Sequence, residues 1–264
     1  MKWCRVEVGG RTIHAILDDS HLLEIDASPL GPYRKTSQRH KLEDVRFLPP
    51  IIPPTFYAAG SNYAFHIDWA KKYHGMSALK VPTQADVGYR AITALVGSGA
   101  NVVIPADSTG PFEYEGELVA VIGKKAKHLS EAEALGCVAG YTLGNDLSER
   151  TWQKADRTLW RCKDTDTFKP MGPFVTDGID PMNQTIEVKI NGRVVSSYNT
   201  SAMVFRAAHW ISNMSRYRTL YPGDILWFGC DGATIPALVP GDTVEVFNEA
   251  IGSLVNPIVR EEAR

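Results

Sequence analysis

The stretch PFEYEGELVAVIG, Pro111 to Gly123, decides how this chain is read. Glu113, Glu115 and Glu117 lie two residues apart, which on an extended strand turns them to one face. Val119 and Val121 continue that face as apolar residues, while Tyr114, Leu118, Ala120 and Ile122 fill the other. A strand apolar on both sides is a buried strand, so acids at its end sit at the mouth of a cavity, where unpaired charge is costly. A hard cation with oxygen ligands keeps such carboxylates ionised; Mg²⁺ is the first expectation, with Mn²⁺ or Ca²⁺ as alternatives. A second segment, AGYTLGNDLSERTWQK, supplies Asp146 where an apolar strand gives way to a polar, helical stretch. Two carboxylates from one strand and one from another make half of an octahedron, leaving positions for water and substrate. The alternative is a solvated strand face with salt bridges, the ordinary fate of acids.

With 264 residues the chain can build a large core as one domain, or as a domain with a small appendage. Hydrophobic content of 44%, charged content of 22% and a net charge of −2 describe an ordinary globular protein. Basic residues are scattered among acids without a stripe or arm, so no nucleic-acid partner is expected. Cys4, Cys137, Cys162 and Cys230 are far apart and form no C-x-x-C pair, which suits reduced thiols in a cytosolic protein. The beginning, MKWCRVEVGG, is too polar for a signal sequence, and no apolar run reaches membrane length. The expectation is a cytoplasmic protein without a membrane partner.

The patterning predicts an α+β, β-rich fold. Residues 3–8, 11–17 and 21–26 alternate apolar and polar between the turns Gly9-Gly10 and Asp18-Asp19-Ser20, which predicts a small N-terminal β unit over residues 1–50. LPPIIPP, Leu48 to Pro54, is the boundary, and a second unit runs from 55 to 264. TFYAAG reads as a short buried strand, and SNYAFHIDWAKKYHGM as a loop running into a helix. Ser130 and Glu133 form a capping box for a short helix. Asn191-Gly192 marks a type I′ hairpin, and Ala202–Tyr217 fits an amphipathic helix. PGDILWFG and PGDTVEVF are strands, each launched from a Pro-Gly-Asp turn.

At this point the chain resembles the fumarylacetoacetate hydrolase family, from about Phe56 to Val259. The resemblance rests on GSNYAFH (60–66), EGELVAVIGKKAKHLS (115–130), GYTLGNDLSERTWQ (140–153) and CKDTDTFKPMGPFV (162–175). Towards the C-terminus GRVV, NTSAMVF, LYPGDILWFG and GSLVN continue it. It implies a mixed β-roll catalytic domain behind a small N-terminal domain, and a homodimer. It implies Glu115, Glu117 and Asp146 as metal ligands, and His66 and Lys163 as catalytic residues. Arg150, Gln153, Tyr63 and Thr200 are implied as substrate-binding residues.

The implied activity is metal-dependent hydrolysis of a C–C bond in a 2-keto or 1,3-dicarbonyl carboxylic acid, acylpyruvate-like, in catabolism of aromatic or related compounds. The same enolate chemistry serves an isomerase, decarboxylase or hydratase of a 2-keto or 2-hydroxy-dienoic acid, and a degenerate non-catalytic member is a further alternative. Several positions depart from the family pattern. Trp69 stands where many members carry a glutamate three residues after the histidine, and Asp68 is the nearest acid in sequence. Phe228, Gly229, Cys230 and Asp231 replace a T-G-T-P turn, Ser196 replaces a common glutamine, and Arg90 stands where a lysine is usual. Two residues apart on a regular helix, His66 and Asp68 point to different sides. The expectation is therefore either a non-helical segment at His66–Trp69 or an acid from a distant part of the chain beside the imidazole.

Overall fold

Every residue of the Gly116–Ile122 strand is buried. Leu118, Ala120 and Ile122 pack with Ile186, Val188, Val244 and Val246 of a second sheet. Val119 and Val121 pack on the opposite side with Trp3, Phe56, Val175 and Trp227. Two covered faces explain why the sequence shows no polar alternation beyond Glu117. The computed structural model describes residues 1–73, 75, 77–231 and 234–262.

Among the described residues, this strand belongs to a sheet whose neighbours run through Lys35–Lys41, His21–Ile25, Arg11–Asp18, Lys2–Val8, Lys169–Thr176 and Val138–Asn145 to Gly116–Ile122. It continues through Ile225–Trp227 and Phe56–Ala59 to Val87–Tyr89. The second sheet orders Arg193–Asn199, Thr185–Ile190, Thr243–Asn248, Gly252–Arg260 and Val102–Ile104. Pairing is mostly antiparallel, with Ile225–Trp227 beside Phe56–Ala59 and Gly252–Arg260 beside Val102–Ile104 parallel. The longer helices are Ala64–Tyr73 and Ala207–Tyr217; Glu131–Ala134 and Arg150–Gln153 are single turns. The molecule is thus the β-rich α+β fold that the patterning predicts. No helix of the described residues is long and apolar enough to cross a membrane.

Local signals account for most of these elements. Ser130 and Glu133 close the capping box in both directions, and Asn191 and Gly192 take φ of 51° and 79°, as a type I′ turn demands. The strand Lys35–Lys41 escapes the sequence reading because it is an outer strand with mostly exposed positions and hence no apolar alternation. The helix expected from Ala202 begins instead at Ala207. The preceding residues are used otherwise: Thr200–Ala202 forms a 3-10 turn, Met203 bridges Tyr63, and Asn62 accepts the Val204 N–H at 2.7 Å on its carbonyl and the Phe205 N–H at 2.9 Å on its Oδ1. The N-terminal strands do not stand apart, since Lys2 and Trp3 pair with Thr176 and Val175. Phe174 in turn packs with Cys4, Val6, Ile13, Ala15 and Leu22.

Gly144, opposite Glu117 in register, lets the Trp227 ring lie flat on its strand: a Cβ there would come within 2.6 Å of the ring. Gly144→Ala is expected to cost about 1–3 kcal/mol by overpacking, whereas Gly136→Ala, with nothing within 4 Å of the added carbon, is expected to be neutral. Thermal unfolding of the two variants checks this; equal melting temperatures contradict it.

Candidate active site

Strand register assembles the acids. Gly116 pairs with Asn145 and Glu117 with Gly144, which sets Asp146, just past its strand, across from Glu115. The Asp146 N–H donates to the Glu115 carbonyl at 2.9 Å, and the Glu115 N–H donates to Asn145 Oδ1 at 3.0 Å. As a result one oxygen each from Glu115, Glu117 and Asp146 lie within 4.8 Å of one another, all buried. Glu113 is not in this group. Its strand, Phe112–Glu113, pairs with Ser148–Glu149 in a separate ladder, and its Oε2 accepts from Arg150 Nε at 2.7 Å and from the Thr234 hydroxyl.

Buried cations surround the three acids. Lys163 Nζ donates to Glu115 Oε2 at 2.5 Å and to Asp146 Oδ2 at 2.9 Å. Its segment is pinned by Asp156, whose carboxylate accepts the Cys162 N–H at 2.6 Å and the Arg161 N–H at 3.1 Å. Arg150 Nη2 donates to Glu115 Oε1 at 2.6 Å, and its Nη1 to Gln153 Oε1 at 2.9 Å. Arg90 brings Nη2 to 3.7 Å from Asp146 Oδ2. Lys169 Nζ sits 2.7 Å from Asp146 Oδ1. Its ammonium also meets the carbonyls of Lys163, Leu147 and Phe168, and at this distance from a carboxylate oxygen it is a charge-assisted donor to Asp146.

The charges sort the acids. Burial opposes the ionised form of Glu115, but Lys163 and Arg150 outweigh it and hold the carboxyl down at about 2. Asp146 is likewise depressed well below the carboxylate range, with Lys163, Lys169 and Arg90 overcoming burial. Glu117 is pushed the other way by burial and then by the neighbouring Asp146 and Glu115 charges. Burial also lowers Lys169 to about 8. An all-oxygen donor set gathered within 4.8 Å, with a third acid short of positive charge, fits a hard divalent cation. The carboxylate set can hold one.

These groups open on a cavity of about 260 Å³, lined also by Asn62, Gln153, His66 and Cys230. The first of the two alternatives for His66 fails, because Ala64–Tyr73 is helical. Asp68 points outward and pairs with Lys71 at 2.9 Å. The second alternative holds: Glu115, from the distant acidic segment, brings Oε1 to 3.7 Å from His66 Nε2. Cys230 Sγ lies 3.7 Å from His66 Nδ1. Trp69 stacks on Tyr73 with ring centroids 3.8 Å apart.

Two expected substrate-binding residues lie off the cavity wall. Tyr63 is fully buried edge-on to Tyr198, and Thr200 spends its hydroxyl on the Gln184 N–H at 2.9 Å. Sequence reasoning missed Lys169 and the two bracing asparagines, Asn62 and Asn145. A lysine at the head of the apolar run KPMGPFV was the available signal, since a buried lysine requires partners.

Arg150 is the cation that clamps two acids at once, Glu113 and Glu115. Arg150→Met strands the buried Glu113 and Glu115 charges, and the expected loss is about 3–5 kcal/mol of stability. Asp68→Ala, at an exposed pair, is expected to change stability by less than about 0.5 kcal/mol. Denaturant unfolding measures both; an Arg150→Met protein as stable as wild type contradicts the clamp.

Residues 55–259 match the family model described as fumarylacetoacetate (FAA) hydrolase C-terminal, and residues 1–50 match the one described as Rv2993c-like, N-terminal. Protein Rv2993c of Mycobacterium tuberculosis is 34% identical over 241 residues, covering 90% of this chain and 88% of its own. Oxaloacetate tautomerase Fahd2a, mitochondrial, of Rattus norvegicus is 34% identical over 226 residues, 81% of this chain and 70% of its own. The crystal structure of 2-hydroxyhepta-2,4-diene-1,7-dioate isomerase from Mycobacterium marinum superposes with a TM-score of 0.87 at 31% identity, covering all of both chains. With residues 55–259 matching that family's model and relatives 34% identical over 241 and 226 residues, the chain belongs to the fumarylacetoacetate hydrolase family.

Proposed function

We propose that this chain is a metal-dependent enzyme that moves a proton between keto and enol, or between dienoic isomers, of a small 2-keto acid. The observation that carries the reading is Lys163, buried on the cavity wall with its ammonium against Glu115 and Asp146. A divalent cation held by Glu115, Glu117 and Asp146 supplies Lewis acidity toward a keto oxygen, and Mg²⁺ suits an all-oxygen set that keeps room for substrate.

The residues divide the remaining work. Lys163 offers a fixed positive charge where the enolate oxygen develops; burial opposes that charge, but Asp146 and Glu115 hold the ammonium protonated. Arg150 fixes Gln153 by taking its Oε1, which leaves the Gln153 amide NH₂ as donor for the substrate carboxylate. His66, on the same wall, takes the proton from carbon and returns it to the enolate oxygen, or to another carbon of a dienoic isomer.

Proton transfer is favoured over C–C hydrolysis by the surroundings of His66. Water attack asks for an imidazole strengthened by its own carboxylate. Trp69 stands where the family usually places that acid, and Glu115 is already committed to Arg150 and Lys163. The tautomerase and isomerase among the relatives point the same way. Hydrolysis stays as the second reading because His66 and Lys163 share one cavity.

A panel of oxaloacetate, acylpyruvates and 2-keto dienoates, assayed with Mg²⁺ or Mn²⁺ by enol absorbance and by product analysis, tests the reading. Isomerisation without fragmentation is expected; cleavage products as the main outcome overturn it. Lys163→Met is expected to slow turnover by about 10²–10³-fold, as for loss of one preorganised donor. Glu117→Ala is expected to abolish calorimetric binding of Mg²⁺ or Mn²⁺. Near-wild-type turnover in the first variant, or unchanged metal affinity in the second, removes the corresponding role.

A further inference from the structure

We propose that His66, Cys230 and Glu115 form a second, sulfur-containing cation site that takes a thiophilic divalent ion, Zn²⁺, beside the all-oxygen site. A His66 ring nitrogen, the Cys230 sulfur and a Glu115 oxygen lie within 4.8 Å of one another. With Zn–S and Zn–N bonds of about 2.3 and 2.0 Å, tetrahedral zinc sets its sulfur and nitrogen ligands about 3.5 Å apart. Cys230 Sγ and His66 Nδ1 are 3.7 Å apart, so this pair needs almost no movement.

The pair is also held from behind. The Gly229 N–H donates to Glu117 Oε2 at 2.7 Å, and Asn62 Nδ2 donates to the Phe228 carbonyl at 3.0 Å. Asp231 accepts from the backbone N–H groups of Phe65 and His66. The turn that carries Cys230 and the first turn of the helix that carries His66 are therefore one braced unit. Glu115 completes the set by exchanging its contact with Arg150 or Lys163 for one with the metal, and the cavity offers space for a water as fourth ligand.

Ligand softness separates the two sites. Mg²⁺ and Ca²⁺ keep to carboxylate and water oxygens, whereas a thiolate with an imidazole selects Zn²⁺. On loading, the Cys230 thiol proton passes to solvent and the thiolate takes its place on the metal. Both sites claim Glu115, and the second also occupies a His66 nitrogen. If the proton-transfer reading of His66 holds, loading this site stops turnover.

Co²⁺, as a spectroscopic probe for Zn²⁺, is titrated into metal-free wild type and Cys230→Ser, after unfolding curves confirm that both are folded. A sulfur-to-cobalt charge-transfer band is expected in wild type, absent in Cys230→Ser and bleached by added Zn²⁺. No band in wild type, or the same band in both proteins, overturns the site whatever the enzyme's reaction. Against Mg²⁺-supported turnover, Cys230→Ser is expected to raise the half-inhibiting Zn²⁺ concentration by at least about tenfold. Losing a ligand costs no less than losing a hydrogen-bond partner behind one. Equal sensitivity in proteins that differ in the band overturns the inhibitory consequence alone.

Discussion

Three buried carboxylates with oxygens within 4.8 Å of one another, on the wall of one cavity, are the constraint around which this molecule is organised. Like charges that close repel strongly in a medium that screens them poorly. The strands meet this with geometry, because the Gly116–Asn145 register leaves Glu115 and Asp146 no freedom to separate. The chain also meets it with charge, delivering Lys163, Arg150, Arg90 and Lys169 from four different segments. The compensation is uneven: the surrounding cations pull Glu115 and Asp146 towards the ionised form, while burial and its two acidic neighbours push Glu117 the other way. A pocket left short of positive charge at one acid can hold a cation.

How far the sequence revealed this depended on the range of each interaction. Period-two spacing placed Glu115, Glu117, Val119 and Val121 on one side of a strand, and the structure divides that strand between two cores as the spacing requires. Turn chemistry at Asn191-Gly192 and the Ser130 capping box are decided within a few residues, and both were legible. The start of the Ala207–Tyr217 helix was not, because residues before it are tied in extended form to Asn62 and Tyr63, more than a hundred residues away. Lys35–Lys41 pairs on one side only and stays largely exposed, so it left no hydrophobic trace.

The site residues show the same division. The acids could be found from local pattern, and the family resemblance supplied roles for Lys163, Arg150, Gln153 and His66, which the fold brings to one cavity. It also suggested Tyr63 and Thr200, which the fold turns into packing and a loop hydrogen bond. Proximity in a motif does not determine on which side of the backbone a side chain emerges. The reverse error hid Lys169, whose importance comes from three carbonyls and an aspartate that only tertiary structure gathers.

Trp3 lies beneath the strand of Glu117, in the same apolar cluster as Val119, Val121 and Trp227. Trp3 therefore forms part of the floor under the carboxylates. Removing the strand that carries it loosens that floor, so such a deletion acts on the cavity from the far side of the sheet. Neighbouring strand edges at Val175 and Thr176 would be uncovered as well, and open edges of that kind recruit other chains. Chain beginnings are commonly treated as free handles; in this fold the first strand is part of the anvil on which the site is shaped.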